Sequence, residues 1–147
     1  MIRLTFRPFD LAFFDRHVEA FLSIAADVPG EYWAAENFRR PLPEKLALSF
    51  VVCDGDQPIG YAILSRQTPP GIHLHHFMVA APYRSKGLGA RMIEQIVERA
   101  VRARAPEITL KANSPRAESF YRRYGFVMTG EENGYRLYRR RLAAPNA

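Results

Sequence analysis

The sequence predicts an α/β fold with a mixed sheet, and three observations carry that prediction. Apolar spacing switches between the two-residue repeat of strands and the longer repeat of helices, in the order strand, two helices, three strands, helix, strand, helix, two strands. Asp54-Gly55-Asp56 and Glu131-Glu132-Asn133-Gly134 lie between strand-like runs and read as hairpin turns. A long amphipathic segment, Leu88 to Arg104, follows a strand and a glycine turn, so helices interleave with strands.

Each element has a local reason. Ile2 to Phe6 alternates weakly and reads as the first strand. Asp10 can cap a helix running to about Ala26, with Leu11, Phe14, Val18, Phe21, Leu22 and Ala25 on one face. Pro29 and Gly30 break it. Glu31 to Arg39 reads as a short helix carrying Tyr32, Trp33 and Phe38, ended by Pro41 and Pro43. Leu46 to Cys53 reads as a strand and Ile59 to Ser65 as its hairpin partner. Pro69-Pro70-Gly71 marks a loop before the strand Ile72 to Val79. In the long helix Leu88, Met92, Ile96 and Ala100, flanked by Ile93, Val97 and Val101, form a broad apolar stripe that Pro106 stops. Ile108 to Ala112 is a strand. Ser114-Pro115 opens a helix, since proline suits the first turn and disfavours helix in the residue before it; Gly125 ends that helix. Phe126 to Thr129 and Tyr135 to Arg139 close as a hairpin.

No repeat, low-complexity tract or linker interrupts the 147 residues, so 1–147 are expected to form one domain. The N-terminus mixes charges with its apolar residues and has no signal-peptide core. No apolar run approaches the ~18 residues of a membrane span. Cys53 stands alone in an apolar run and makes no intrachain disulfide, which fits a cytoplasmic setting away from membranes. The net charge of +6 comes partly from Arg139-Arg140-Arg141. It suits nucleic acid or a polyanionic small ligand. Without aromatic-basic interleaving or a helix-turn-helix pattern, nucleic acid is not expected as the main partner.

The most informative stretch is Tyr83 to Ala90, Tyr-Arg-Ser-Lys-Gly-Leu-Gly-Ala. Gly87 and Gly89 allow a tight turn and close approach to a ligand, and the helix that follows offers unpaired N–H groups to an anion. Arg84 and Lys86 add two cations. A dinucleotide fingerprint would need a third glycine where Met92 stands, and no Walker string occurs. A phosphate cradle remains, with a bare structural turn as the alternative.

Two motifs then resemble the GNAT superfamily of acyl-CoA-dependent N-acyltransferases across essentially the whole chain. Val79 to Gly89 is similar to that family's pyrophosphate loop, with Ala81 where the family often has proline. Asn113 through Ala117, Tyr121 and Tyr124-Gly125-Phe126 match its Asn-x3-Ala-x3-Tyr…Gly-Phe signature. The resemblance implies a mostly antiparallel central sheet with helices on both faces and acetyl-CoA as co-substrate. It implies that backbone N–H groups of Arg84, Ser85, Lys86, Gly87, Leu88, Gly89 and Ala90 bind the pyrophosphate. Phe77, Met78 and Val79 would pair with the pantetheine arm at a splay between the central strands. The N–H of Phe77 or Met78 would polarise the thioester carbonyl. Asn113 would hold the pantetheine or the splay, or simply cap the helix start.

Attack by an amine on a thioester needs a neutral amine, a stabilised oxyanion and a stabilised thiolate. A lysine-like amine with pKa ~10.4 is neutral in about one molecule in 2,500 at pH 7, a cost of roughly 4–5 kcal/mol. Tyr121 is the candidate donor to the thiolate. A phenol at pKa ~10 protonates a thiolate at ~8.5 uphill by about 2 kcal/mol, so it stabilises charge more readily than it transfers a proton. Many family members carry a glutamate in the strand before the cradle; this strand has His73-Leu74-His75-His76. Its His-Leu-His resembles aralkylamine (serotonin) N-acetyltransferase, where two histidines relay a proton through water. Alternation puts His73 and His75 on one face and His76 on the other. Two histidines without a third ligand at a diagnostic spacing make no metal site. The resemblance places the acceptor groove near Glu31, Tyr32, Trp33, Glu36, Glu131 and Glu132, whose carboxylates and rings would suit a cationic amine. The acceptor is expected to be a small-molecule or protein amine, with tRNA the one nucleic acid kept open, and the chain a monomer or homodimer. A CoA-binding module without turnover is the rival reading.

Overall fold

The structure, a computed structural model, describes residues 3–143. One seven-stranded sheet runs β1-β2-β3-β4-β5-β7-β6. Its strands are β1 (Leu4–Pro8), β2 (Phe50–Asp54), β3 (Gln57–Ser65), β4 (Ile72–Val79), β5 (Glu107–Ala112), β6 (Val127–Glu132) and β7 (Tyr135–Arg141). Every neighbouring pair is antiparallel except β4–β5. The mixed, mostly antiparallel sheet expected from the sequence is therefore present.

Two cores sandwich the sheet, and strand alternation assigns residues to them. Val51, Cys53, Tyr61 and Ile63 pack with Phe9, Phe13, Phe14, Phe21 and Phe38 from α1 (Leu11–Arg16), α2 (Val18–Ala25), α3 (Ala35–Arg39) and the loop before α1. Val52, Ala62, Leu64 and Leu74 pack on the opposite face against Met92, Ile93 and Ile96 of α5 (Leu88–Arg102) and Tyr121 of α6 (Pro115–Arg123). No helix among the described residues is long and apolar enough to cross a membrane.

Local chemistry explains where elements depart from the sequence reading. The first helix is two, broken at His17, although Asp10 does cap it by accepting from the Phe13 N–H at 2.7 Å. The second begins at Ala35, where the Asn37 side-chain oxygen accepts from the Ala34 N–H at 2.9 Å and closes its first turn. Lys45–Leu48 forms a helical turn, α4, where a strand was expected. The buried Lys45 ammonium donates to the carbonyls of Phe38 and Arg40 and ties α4 to the end of α3. Long α5 stops before Pro106: Arg104 turns left-handed, and the Ala105 and Arg104 N–H groups bond back to Ala100 and Val101. Asn133 and Gly134, both at positive φ, make the tight β6–β7 turn. The first strand lies at Leu4–Pro8 rather than Ile2 to Phe6, and Ile2 falls outside the described residues.

The feature that creates the site is in β4. Ile63 pairs with His76 but Leu64 pairs with Leu74, so His75 is an extra residue, a bulge. A bulge bends its strand and increases its twist. Beyond it β4 and β5 separate: only Ile72, His73 and Leu74 pair with β5, opposite Ile108, Thr109 and Leu110. On its other edge β4 stays close to β3, where an added Cβ on Gly60 would lie 3.0 Å from the Met78 carbonyl oxygen. Gly60→Ala is expected to lower stability by about 1–3 kcal/mol through this overpacking. Urea denaturation measures it; an unchanged midpoint would contradict the close strand approach.

Candidate active site

A cleft of about 650 Å³ opens where β4 and β5 part. Its floor is the outer half of β4 and the end of β5. One end is the turn into α5, one wall is α6, and the other end reaches Val28 and Glu31 in the loop after α2. The Ala80 N–H donates to the Ile59 carbonyl at 2.8 Å. By the alternation of antiparallel pairs, Met78 and His76 then bond to β3, while Phe77 and Val79 direct their backbone groups toward the cleft. The Phe77 N–H thus opens on the cleft, and the Met78 N–H is spent on the sheet.

The turn at the α5 end lines the cleft with Arg84, Ser85, Gly87, Gly89 and Ala90. Ser85 (φ 61°) and Gly87 (φ 81°) are left-handed, a conformation that gathers successive N–H groups around an anion. Gly87 caps α5 with no side-chain hydrogen bond, leaving the first-turn amides available. An added Cβ on Gly89 would lie 3.1 Å from the Phe120 ring, so glycine also lets α5 and α6 approach. The cations behave differently from expectation. Arg84 is tied by an ion pair to Asp27 at 3.0 Å and by its Nε to the Val79 carbonyl at 2.9 Å. Lys86 faces a separate small depression with Leu4, Tyr83, Leu88 and Arg91. Leu88 is buried in the core.

Tyr121 lines the cleft from α6 with its ring against Phe77 at 6.3 Å between centroids. Its hydroxyl makes no hydrogen bond among the described residues. Burial first, and the Glu31 carboxylate second, push the phenol well above its ordinary pKa, so it keeps its proton at neutral pH. Asn113 is exposed beside Gly30, its amide nitrogen 3.9 Å from where a Gly30 Cβ would lie, and is not among the cleft-lining residues. The helix cap is Ser114, whose hydroxyl accepts from the Ala117 N–H at 3.2 Å.

The bulge also changes the histidines. His73 lies opposite Ser65, His75 Nε2 meets the Ser65 hydroxyl at 2.7 Å, and His76 Nδ1 meets the Tyr61 hydroxyl at 2.7 Å. All three therefore share the face of Tyr61 and Ser65; simple alternation fails because His75 is the extra residue. His75 and His76 line the cleft, whereas His73 does not. His73 contacts His75 at 4.8 Å between ring centroids and bonds Thr109 Oγ1 at 2.8 Å. His76 stacks on Trp33 at 4.5 Å, and its Nε2 donates to the Glu31 carbonyl at 2.6 Å, so its Nδ1 accepts from Tyr61. Burial holds all three at about 4. Lys111 adds to the lowering at His73; His73, Lys45 and Arg40 add to it at His75.

Glu31 gains most from the structure. It is the sole acid among the described residues lining the cleft, and burial raises its carboxyl pKa. Its Oε2 lies 3.8 Å from His76 Nε2. The other acceptor-groove carboxylates and rings do not line the cleft: Tyr32 is 63% exposed, Glu131 pairs with Arg136 and Glu132 with Lys111. The resemblance grouped Glu31 with them; the contacts with His76 that single it out join residues far apart in sequence. Among the described residues no cluster of three or more His, Cys, Asp or Glu could hold a metal. The terminal arginine run is partly engaged, Arg139 near Glu107 at 3.9 Å and Arg140 on the Tyr124 carbonyl at 2.8 Å.

Residues 17–137 match the Acetyltransferase (GNAT) domain family. No curated protein sequence matches the chain. Solved structures share the fold at low identity. The ribosomal-protein-S18-alanine N-acetyltransferase from Escherichia coli is 15% identical with TM-score 0.80, over 98% of this chain and 97% of its own. Ard1 from Thermoplasma volcanium is 18% identical with TM-score 0.74, over 92% and 94%. The PaiA N-acetyltransferase from Thermoplasma acidophilum, solved with coenzyme A, is 13% identical with TM-score 0.73, over 96% and 100%.

The histidines of β4 set a pH response. Unfolded histidines take up protons near 6.5, while the folded ones resist down to about 4. Between those values the unfolded state binds more protons, so stability falls as pH is lowered and is unaffected above the window. Melting temperature should drop between pH 6.5 and 4, and less steeply in His73→Gln/His75→Gln. A pH-independent Tm there would contradict their neutrality in the fold.

Proposed function

The chain belongs to the GNAT acetyltransferase family, and we propose that it transfers the acetyl group of acetyl-CoA directly to a primary amine in a ternary complex. The observation that carries this reading is the unpaired Phe77 N–H on the β4 edge, opening on a cleft between an amide-lined turn and Tyr121. The pyrophosphate occupies the turn at residues 84–90, and the pantetheine arm lies along β4 as an added strand. The Phe77 N–H donates to the thioester oxygen as it becomes an oxyanion. Tyr121, protonated and without another partner among the described residues, donates to the departing thiolate.

The acceptor enters at the Val28–Glu31 end. Glu31 meets its ammonium group and takes the proton, directly or through water, and neutral His75 offers the next site. His73, behind His75 and bonded to Thr109, steadies that ring rather than touching the amine. Asn113 lies next to Gly30, a residue of the loop that carries Glu31. Both small amines and protein amines fit this chemistry. The Escherichia coli neighbour's name specifies an alanine of a ribosomal protein, so a screen of acceptors should include peptides.

Acetyl-CoA should raise Tm well above the effect of desulfo-CoA or adenine nucleotides; no stabilisation at high micromolar ligand would remove the reading. With an acceptor found by the screen, Tyr121→Phe should lower kcat roughly a hundredfold while the KM for acetyl-CoA stays close to wild type. Full activity would return Tyr121 to packing. Glu31→Gln should reduce kcat/KM most below the acceptor's own pKa, where the amine arrives as a cation; an equal loss at every pH would assign Glu31 to structure instead.

A further inference from the structure

The cofactor assigned above is a polyanion, and the turn that receives it supplies less cationic charge than its sequence suggests. Its pyrophosphate can be met by the backbone N–H groups and helix end at residues 84–90. CoA carries a third phosphate, the 3′-phosphomonoester on its ribose, which those amides do not serve. Lys86 faces away from the cleft, and Arg84 is held by Asp27 at 3.0 Å. Of the other cleft-lining cations, Lys111 pairs with Glu132 at 3.5 Å.

Two remain. Arg116 and Arg123 line the cleft from α6 and have no ion pair or hydrogen bond among the described residues. Seven positions apart, they complete about two helical turns and lie on one face of α6, roughly 10 Å apart along its axis. Phe120, on the same wall between them, touches the α5 turn beside Gly89. The wall therefore faces the pyrophosphate seat and presents two free guanidinium groups, the chemistry that grips a phosphate through paired N–H donors.

We propose that Arg116 and Arg123 form the seat of the CoA 3′-phosphate and make this chain selective for CoA over 3′-dephospho-CoA. This rests on the acetyl-CoA reading above. The α5 turn holds the diphosphate that both molecules share; the α6 arginines hold the group that only CoA has. Discrimination comes from charge-assisted contacts at an exposed rim, so it weakens as salt rises.

Isothermal titration of the whole chain with CoA and with 3′-dephospho-CoA tests this directly. Wild type should bind CoA roughly ten- to a hundredfold more tightly, the range expected for hydrogen bonds to a charged group. Arg116→Gln/Arg123→Gln should lose that preference while its affinity for 3′-dephospho-CoA stays near wild type. Circular dichroism and Tm check that the variant is folded; both side chains are exposed, so its melt should match wild type. Equal binding of the two ligands by wild type would overturn the seat while leaving the acetyl-CoA reading standing. Equal weakening of both ligands in the variant would overturn it too, assigning the arginines to the pyrophosphate. Absence of binding by either ligand would remove both readings together.

Discussion

The structure depends on a backbone that cannot finish its own hydrogen bonding. Once the bulge at His75 turns β4 away from β5, the inward-facing N–H and C=O groups of Phe77 and Val79 have no neighbouring strand. Backbone groups removed from partners are costly wherever water is also excluded, so such an edge is a demand for a ligand with its own amides. The Val79 carbonyl is already met by Arg84. The Phe77 N–H, beside Tyr121, is left without a partner on the sheet. A single inserted residue thus opens the cleft, points an amide into it and brings three histidines to one face.

Charge along the cleft is polarised. At the α5 end, amides and the arginines of α6 favour anions; at the far end stands one carboxylate, Glu31, whose pKa burial raises. His76 links the two aspects of that far end. It is locked between Trp33 and Tyr61, is neutral, and donates to the Glu31 carbonyl, so it fixes the position of the loop without competing for a proton. Asp27 performs a similar office a few residues earlier, accepting from Arg84 and from the Ala81 N–H at 3.2 Å. The turn that leads into α5 and the loop after α2 are therefore pinned to each other by one carboxylate.

Much of this was legible in the sequence because it is local. Asp10 and Ser114 caps, the Asn133-Gly134 turn and the α5 stripe follow from neighbours within one turn of chain. The glycine turn could be read for the same reason. What escaped depends on partners distant in sequence. Leu46 to Leu48 is as apolar as a strand, yet Lys45 reaches the end of α3 and winds it into a helical turn. The bulge at His75 shows only against the register of β3, so alternation misassigned His76. Arg84 looked like a phosphate ligand because Asp27, its partner, lies on the far side of three strands and two α-helices.

The parallel seam between β4 and β5 spans three residue pairs, fewer than any other junction in the sheet. Everything beyond it, from β5 through α6 to the β6–β7 hairpin, comes from one continuous stretch of chain. The core on the α5 face crosses that seam, joining Leu74 and Met92 to Leu110, Tyr121 and Tyr138, so side chains rather than the strand ladder hold the two stretches together. A molecule bound in the cleft touches both, and its binding free energy adds to the stability of the pair as one unit.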